Sequence, residues 1–138
     1  MRSLFRTIRD LAGFSLVELM IVIVVIGVLA AIAIPIYTNN ITQARMCEAD
    51  ANLSSIRTQL RIYSSANGEF PTTNPAGYVI GANWNDIKDG EMTGKYFSDS
   101  SYTYLCANGL NFTITCDAGD ILNSHRTLDQ FGTLDGGL

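Results

Sequence analysis

Residues 12–37 read AGFSLVELMIVIVVIGVLAAIAIPIY, and from Leu19 to Ile36 no side chain carries a charge or a hydrogen-bonding group. From Phe14 to Tyr37 the apolar run is interrupted only by Ser15 and Glu18. As a helix rising about 1.5 Å per residue, this segment spans roughly 36 Å, enough to cross a hydrocarbon core of about 30 Å. The apolar core of a secretory signal is shorter, about 7–15 residues. Ala30, Ala31 and Ala33 could imitate the small-residue site at which such a signal is cut, but the length of the block favours a helix that stays in the membrane. Arg2, Arg6 and Arg9 precede it. By the positive-inside rule they hold the N-terminal arm in the cytoplasm and put everything after Ile36 across the membrane. The 138-residue chain leaves room for one small extracytoplasmic domain beyond that helix.

Glu18 needs its own explanation, because a charged residue costs about 2.5–3.5 kcal/mol at the centre of a membrane helix and less near its end. On position alone, the carboxylate sits near the interface and is favoured by the positive end of the helix dipole. The stretch as a whole, however, closely resembles the prepilin signature of type IV pilins and type II secretion pseudopilins. That resemblance covers residues 12–37 and implies a role for each matching position. Gly13 matches the residue after which prepilin peptidase cuts, and Phe14 the new N-terminal residue, which the same enzyme N-methylates. Glu18 matches the acidic residue that pairs with the free amine of Phe14 on a neighbouring subunit. The chemistry is consistent, since cleavage creates an α-amine needing a partner as much as Glu18 does. The implied leader, residues 1–13, is longer than usual ahead of an N-terminal Phe.

Gly27 and Pro35 carry a second feature of the resemblance. Pro35 lacks an amide donor and crowds the preceding turn, which predicts weakened hydrogen bonding towards residue 31 and a bend. In resembling filaments the stretch between these positions melts or extends on packing.

After Tyr37 the pattern becomes amphipathic. Met46, Ala49, Leu53, Ile56, Leu60 and Tyr63 recur at steps of three and four, one face of a helix that continues to about Ala66 and stops at Asn67-Gly68. Under three heptads is too short to favour a coiled coil. Residues 70–94 show no sustained period and are expected to be irregular. Tyr102–Cys106 and Leu110–Cys116 alternate as two strands around Asn108-Gly109, a hairpin signal, and Arg126–Asp129 reads as a third. A tight hairpin puts Leu105, Phe112 and Ile114 on the face that meets the helix and Tyr102 and Tyr104 on the other. The fold class expected is α+β, a long N-terminal helix packed on a small antiparallel sheet, with a leader at 1–13, a membrane and assembly helix at 14–37 and a pilin-like head at 38–138.

Cys47, Cys106 and Cys116 form no closely spaced pair and His125 is the only histidine, a poor set for a metal. In an extracytoplasmic head three cysteines suggest one disulfide and one free thiol. The resemblance implies Cys106–Cys116, because pilin heads often staple their C-terminal region. The tight hairpin conflicts with this: it sets Cys106 opposite Asn111, roughly 17 Å along the strand from the partner of Cys116. Cys47 falls about 150° from the centre of the apolar helix face and should point away from the sheet. Asp117, Asp120, Asp129 and Asp135 lie near glycines, and some resembling pseudopilins bind calcium in such a region; without a compact acidic loop they read as solvated turn residues.

No catalytic constellation or phosphate loop is visible, and no cofactor is expected. Removing the leader's three arginines and one aspartate leaves 6 basic and 12 acidic residues, a charge of −6 that disfavours nucleic-acid binding by the head. The resemblance implies a homo-oligomeric helical filament. Its partners are prepilin peptidase, inner-membrane assembly machinery and membrane lipid, and its location is the bacterial inner membrane and then a periplasmic or surface fibre. A type IV pilus subunit is the first expectation and a type II secretion pseudopilin the second. A monomeric membrane-anchored binding domain is the alternative of another class.

Overall fold

The computed structural model describes residues 13–137; the expected leader lies outside the described residues except for Gly13. One helix, α1 (Leu16–Asn67), is followed by five strands: β1 (Thr73–Tyr78), β2 (Tyr102–Cys106), β3 (Thr113–Cys116), β4 (Arg126–Asp129) and β5 (Leu134–Gly136). The chain divides after Thr38 into two compact units. In the first, the large apolar side chains of α1 are exposed on all sides. In the second, the rest of α1 packs against an antiparallel sheet whose strands follow one another in chain order.

The helix forms where its periodicity predicts. Ala49, Leu53, Ile56 and Leu60 are fully buried, with Met46 packed at the edge of the same core. Each such Leu or Ile contributes roughly 1.5–3 kcal/mol through removal from water. The helix ends at Asn67, whose side-chain amide donates to Tyr63 O, and Gly68 follows at φ +84°, a conformation open to glycine at little cost. Cys47 is exposed, as its angular position requires.

The sheet corrects three expectations. Tyr104 pairs with Ile114 and Leu105 with Thr113, one residue out of the tight register. Six residues, 107–112, join β2 to β3, and Asn108 Oδ1 accepts N–H bonds from both Leu110 and Asn111 to close the longer turn. A one-residue slip exchanges the faces of a strand. Tyr102 and Tyr104 are therefore core residues, whereas Leu105 is 40% exposed; Phe112 and Ile114 remain buried. The second correction is β1, which occupies a stretch read as irregular. It is an edge strand with a shift in register between Thr73 and Gly77, where Pro75 is tolerated because no further strand needs its missing donor. Third, β5 extends the expected three strands on the other side.

Polar side chains of the helix fasten the long loops. Glu48 accepts N–H bonds from Lys95, Tyr96 and Phe97 at 3.1, 2.9 and 2.8 Å, and the approach is so close that a Cβ on Gly94 would collide with its carboxylate. Asp50 takes two bonds from Arg126, at 2.7 and 3.0 Å, while Arg126 also donates to Gly136 O. Asp99 gathers the N–H of Gly90 and of Met92 and the hydroxyl of Thr93; above all the Gly90 bond holds its carboxyl below the ordinary value of 3.8. Phe70, Phe112, Tyr104 and Trp84 form a chain of ring contacts, and Tyr104 hydroxyl donates to Pro71 O at 2.7 Å.

Leu53→Ala should destabilise the head by about 2–5 kcal/mol, the cost of a cavity at a fully buried site. Thr58→Ala on the exposed face should change stability by less than about 0.5 kcal/mol. Denaturant unfolding of the detergent-solubilised protein measures both.

Candidate functional site

The start of α1 is built by its own side chains. Leu19 N–H donates to Ser15 O at 3.2 Å, the first helical bond, so Ser15 stands at the cap. Glu18 N–H donates to Ser15 Oγ at 3.1 Å and Ser15 N–H donates to Glu18 Oε2 at 2.8 Å. This is a reciprocal capping box, a Ser followed three residues later by Glu. The signal for it is present in the sequence as Ser15-Leu16-Val17-Glu18, so Glu18 has a partner three residues away in its own chain besides any it finds on another. The box engages one carboxylate oxygen and leaves Oε1 open to a second donor.

Gly13 and Phe14 precede the helix, and Phe14 is 85% exposed. A Cβ on Gly13 or Gly27 would meet nothing within 4 Å, so neither glycine is required by packing within the described chain. The helix continues unbroken through Pro35, and Thr38 Oγ1 donates to Pro35 O at 3.0 Å. From Leu16 to Tyr37 every large apolar residue is exposed, which gives the helix an apolar surface all round with Glu18 as its one charged group. A surface of that kind is stable inside a membrane or packed against other apolar helices.

The expected Cys106–Cys116 bridge is absent: all three cysteines are free. Cys116 pairs with Tyr102, at the far end of β2 from Cys106, which separates the two cysteines by four residues or about 13 Å along the ladder. A disulfide needs Cα atoms about 4.4–6.8 Å apart. Both thiols instead fill core positions, and burial pushes the Cys116 thiol up to about 12 and the Tyr102 phenol beside it upward as well. The turn acids are used locally. Asp117 accepts Gly119 N–H and lies 3.3 Å from His125 Nδ1, Asp129 accepts Thr133 N–H, and Asp135 accepts Gly136 N–H. Among the described residues no three His, Cys, Asp or Glu side chains converge as metal ligands.

Comparison with known proteins bears on the same segment. Residues 9–34 match the prokaryotic N-terminal methylation motif, a span that takes in Gly13, Phe14, Glu18 and Gly27 and stops short of Pro35. The type IV narrow pilus major component of Thermus thermophilus is 34% identical over 110 residues, covering 75% of this chain and 85% of that protein. The chain belongs to the type IV pilin and pseudopilin family. Within that family it is also 39% identical over 84 residues to the type IV major pilin protein of Neisseria gonorrhoeae, covering 61% of this chain and 36% of that pilin. The type II secretion system core protein G of Pseudomonas aeruginosa is 33% identical over 93 residues, covering 61% of this chain and 64% of that protein. These last two pilin-family matches thus span less than two thirds of the relative's own length. No solved structure matches the chain.

Burial orders the reactivity of the three thiols in this pilin-family head. A brief pulse of alkylating reagent should modify Cys47 in the folded protein and leave Cys106 and Cys116 unmodified until denaturant is added, without any need for reductant. Peptide mass mapping checks this; protection of Cys106 and Cys116 that is lifted only by reductant would show a bridge.

Proposed function

We propose that this chain is a structural, non-catalytic subunit of a type IV pilus-like filament. It is held in the bacterial inner membrane by α1 with its N-terminus cytoplasmic, and is cut after Gly13 and N-methylated at Phe14 before assembly. The observation that carries this reading is the apolar surface of α1 from Leu16 to Tyr37, exposed all round and bearing one carboxylate at its start. Membrane lipid covers that surface in the monomer, and neighbouring helices cover it in the filament. Prepilin peptidase and an inner-membrane assembly machinery are the partners this requires. Similarity to core protein G supports a second reading, a type II secretion pseudopilin that builds a short periplasmic fibre. Recovery of the subunit in fibres sheared from the cell surface favours the pilus.

Apolar packing supplies most of the association free energy but has no direction and tolerates sliding. Glu18 adds direction. After cleavage, the Phe14 amine and the Glu18 carboxylate are both charges in an apolar setting, each costing several kcal/mol if left unpaired. Pairing Glu18 Oε1 with the amine of a neighbouring subunit removes both costs at one axial offset, while Oε2 keeps its bond to Ser15 N–H. Melting or extension of the helix between Gly27 and Pro35 during packing belongs to the same reading.

Maturation can be read from mass. The mature subunit should begin at methylated Phe14, and Gly13→Val should accumulate as uncut precursor with insertion intact. Since nothing in the described chain contacts a Cβ at Gly13, the demand for glycine there comes from the peptidase. A mature mass beginning at Met1 or after Ala33 would refute the processing.

Substitution at Glu18 separates the charge from the cap. Glu18→Ala removes both, whereas Glu18→Gln keeps a capping side chain and loses the charge. Both variants should be cleaved normally and both should lose most sheared filament relative to membrane-bound monomer. Wild-type assembly of Glu18→Gln would refute the ion pair, and loss of assembly in Glu18→Ala alone would assign the requirement to the cap.

A further inference from the structure

Two features of the head lie on opposite flanks of α1. On one flank Asn52, Ser55 and Gln59 face the loop bearing Asp86 and Glu91 across a groove of about 330 Å³. Its open groups are mostly acceptors. Asn52 commits its amide N–H₂ to Met92 O and the Tyr102 hydroxyl, which leaves Oδ1 unused. Glu91 gives Oε2 to Lys88 N–H and keeps Oε1, and the Asp86 side chain has no partner among the described residues. Lys88, the cation of that loop, does not line the groove.

On the other flank stands Arg61, exposed on the surface of α1. Arg45 donates to Ile121 O, Arg57 to Gln130 O, and Arg126 to Asp50. Arg61 alone of the described arginines has no partner. At about 100° per residue it lies about 150° around the helix from the centre of Asn52, Ser55 and Gln59.

We propose that Arg61 of one head docks in the groove between α1 and the Asp86–Met92 loop of a second copy of this chain. The assignment rests on the filament reading and names its contact between heads. Charge and hydrogen-bonding capacity agree: a guanidinium brings five donors and no acceptor, and the groove offers carboxylates and amide oxygens. The placement also sets the symmetry. A two-fold dimer needs both halves of the contact on one face so that each copy can give and receive at once. Donor and acceptor on opposite flanks allow each copy to give to one neighbour and receive from another, a head-to-tail contact that runs on as an open helical array wherever its rotation does not close into a ring. The groove is held in shape for this by Asp99, which ties Gly90, Met92 and Thr93.

Charge reversal in the full chain tests the contact, read as the ratio of sheared filament to membrane-bound monomer at physiological salt. Arg61→Glu alone, and Asp86→Lys with Glu91→Lys alone, should each lower the ratio at least about threefold, since like charges then face each other at every repeat. The triple variant should recover most of the loss, a rescue that damage to either fold would not produce. A second measurement places Arg61→Cys and Asp86→Cys together in a Cys47→Ser background. Oxidised filaments should give a ladder of disulfide-linked oligomers. Wild-type assembly of Arg61→Glu, failure of the reversed set to rescue, or cross-linking that is absent or stops at dimers would overturn the proposal while leaving the filament itself intact. Absence of any filament from the wild-type chain would instead remove the filament reading, and the contact with it.

Discussion

An apolar helix surface with no polar side cannot remain in water, and this constraint governs the rest of the molecule. Between Leu16 and Tyr37 α1 offers side chains that nothing in its own unit covers. Lipid and other apolar helices are the two environments that satisfy it, and exchange of one for the other costs little because both are equally apolar. Such a helix can leave a bilayer for a bundle without a large change in solvation. The directional information has to come from the few polar groups at its ends.

The head solves a different problem with the same helix. Past Thr38 the sequence changes from uniformly apolar to one-sided, and the buried face of Ala49, Leu53, Ile56 and Leu60 meets five short strands. Because the loops between those strands are long relative to the strands, the sheet alone would fix little. Glu48 and Asp50, polar residues on α1, reach across to backbone amides at 95–97 and to Arg126. The helix thereby serves as the frame on which otherwise irregular segments are tied, and the loops take their positions from it.

Much of this was legible in the sequence. Steps of three and four from Met46 to Tyr63 located the buried face, and Asn67-Gly68 located the end of α1. Three strands could be read from alternation. The register could not, because Asn108-Gly109 indicates a two-residue turn while the chain makes a longer one in which Asn108 caps its own following amides. The error of one residue inverted the assignment of Leu105 and of the two tyrosines. Strand β1 was hidden because Pro75 and Gly77 break alternation at an edge, where a bulge accommodates them. At the candidate site the cost of a carboxylate in the membrane makes Glu18 legible, whereas its bond to Ser15 is not distinguishable from an intermolecular ion pair, because a local cap and such a pair leave the same residue in the sequence.

The cysteines show how the fold distributes its fastenings. A head stapled by a disulfide needs an oxidant at the moment it emerges from the membrane and loses its staple under reduction. Here the C-terminal strands are held by Arg126 on Asp50 and Gly136, with Cys106 and Cys116 serving as packing in the core. The tie between the C-terminal strands and α1 is therefore ionic and hydrogen-bonded, a kind of fastening on which thiol reagents have no chemical purchase.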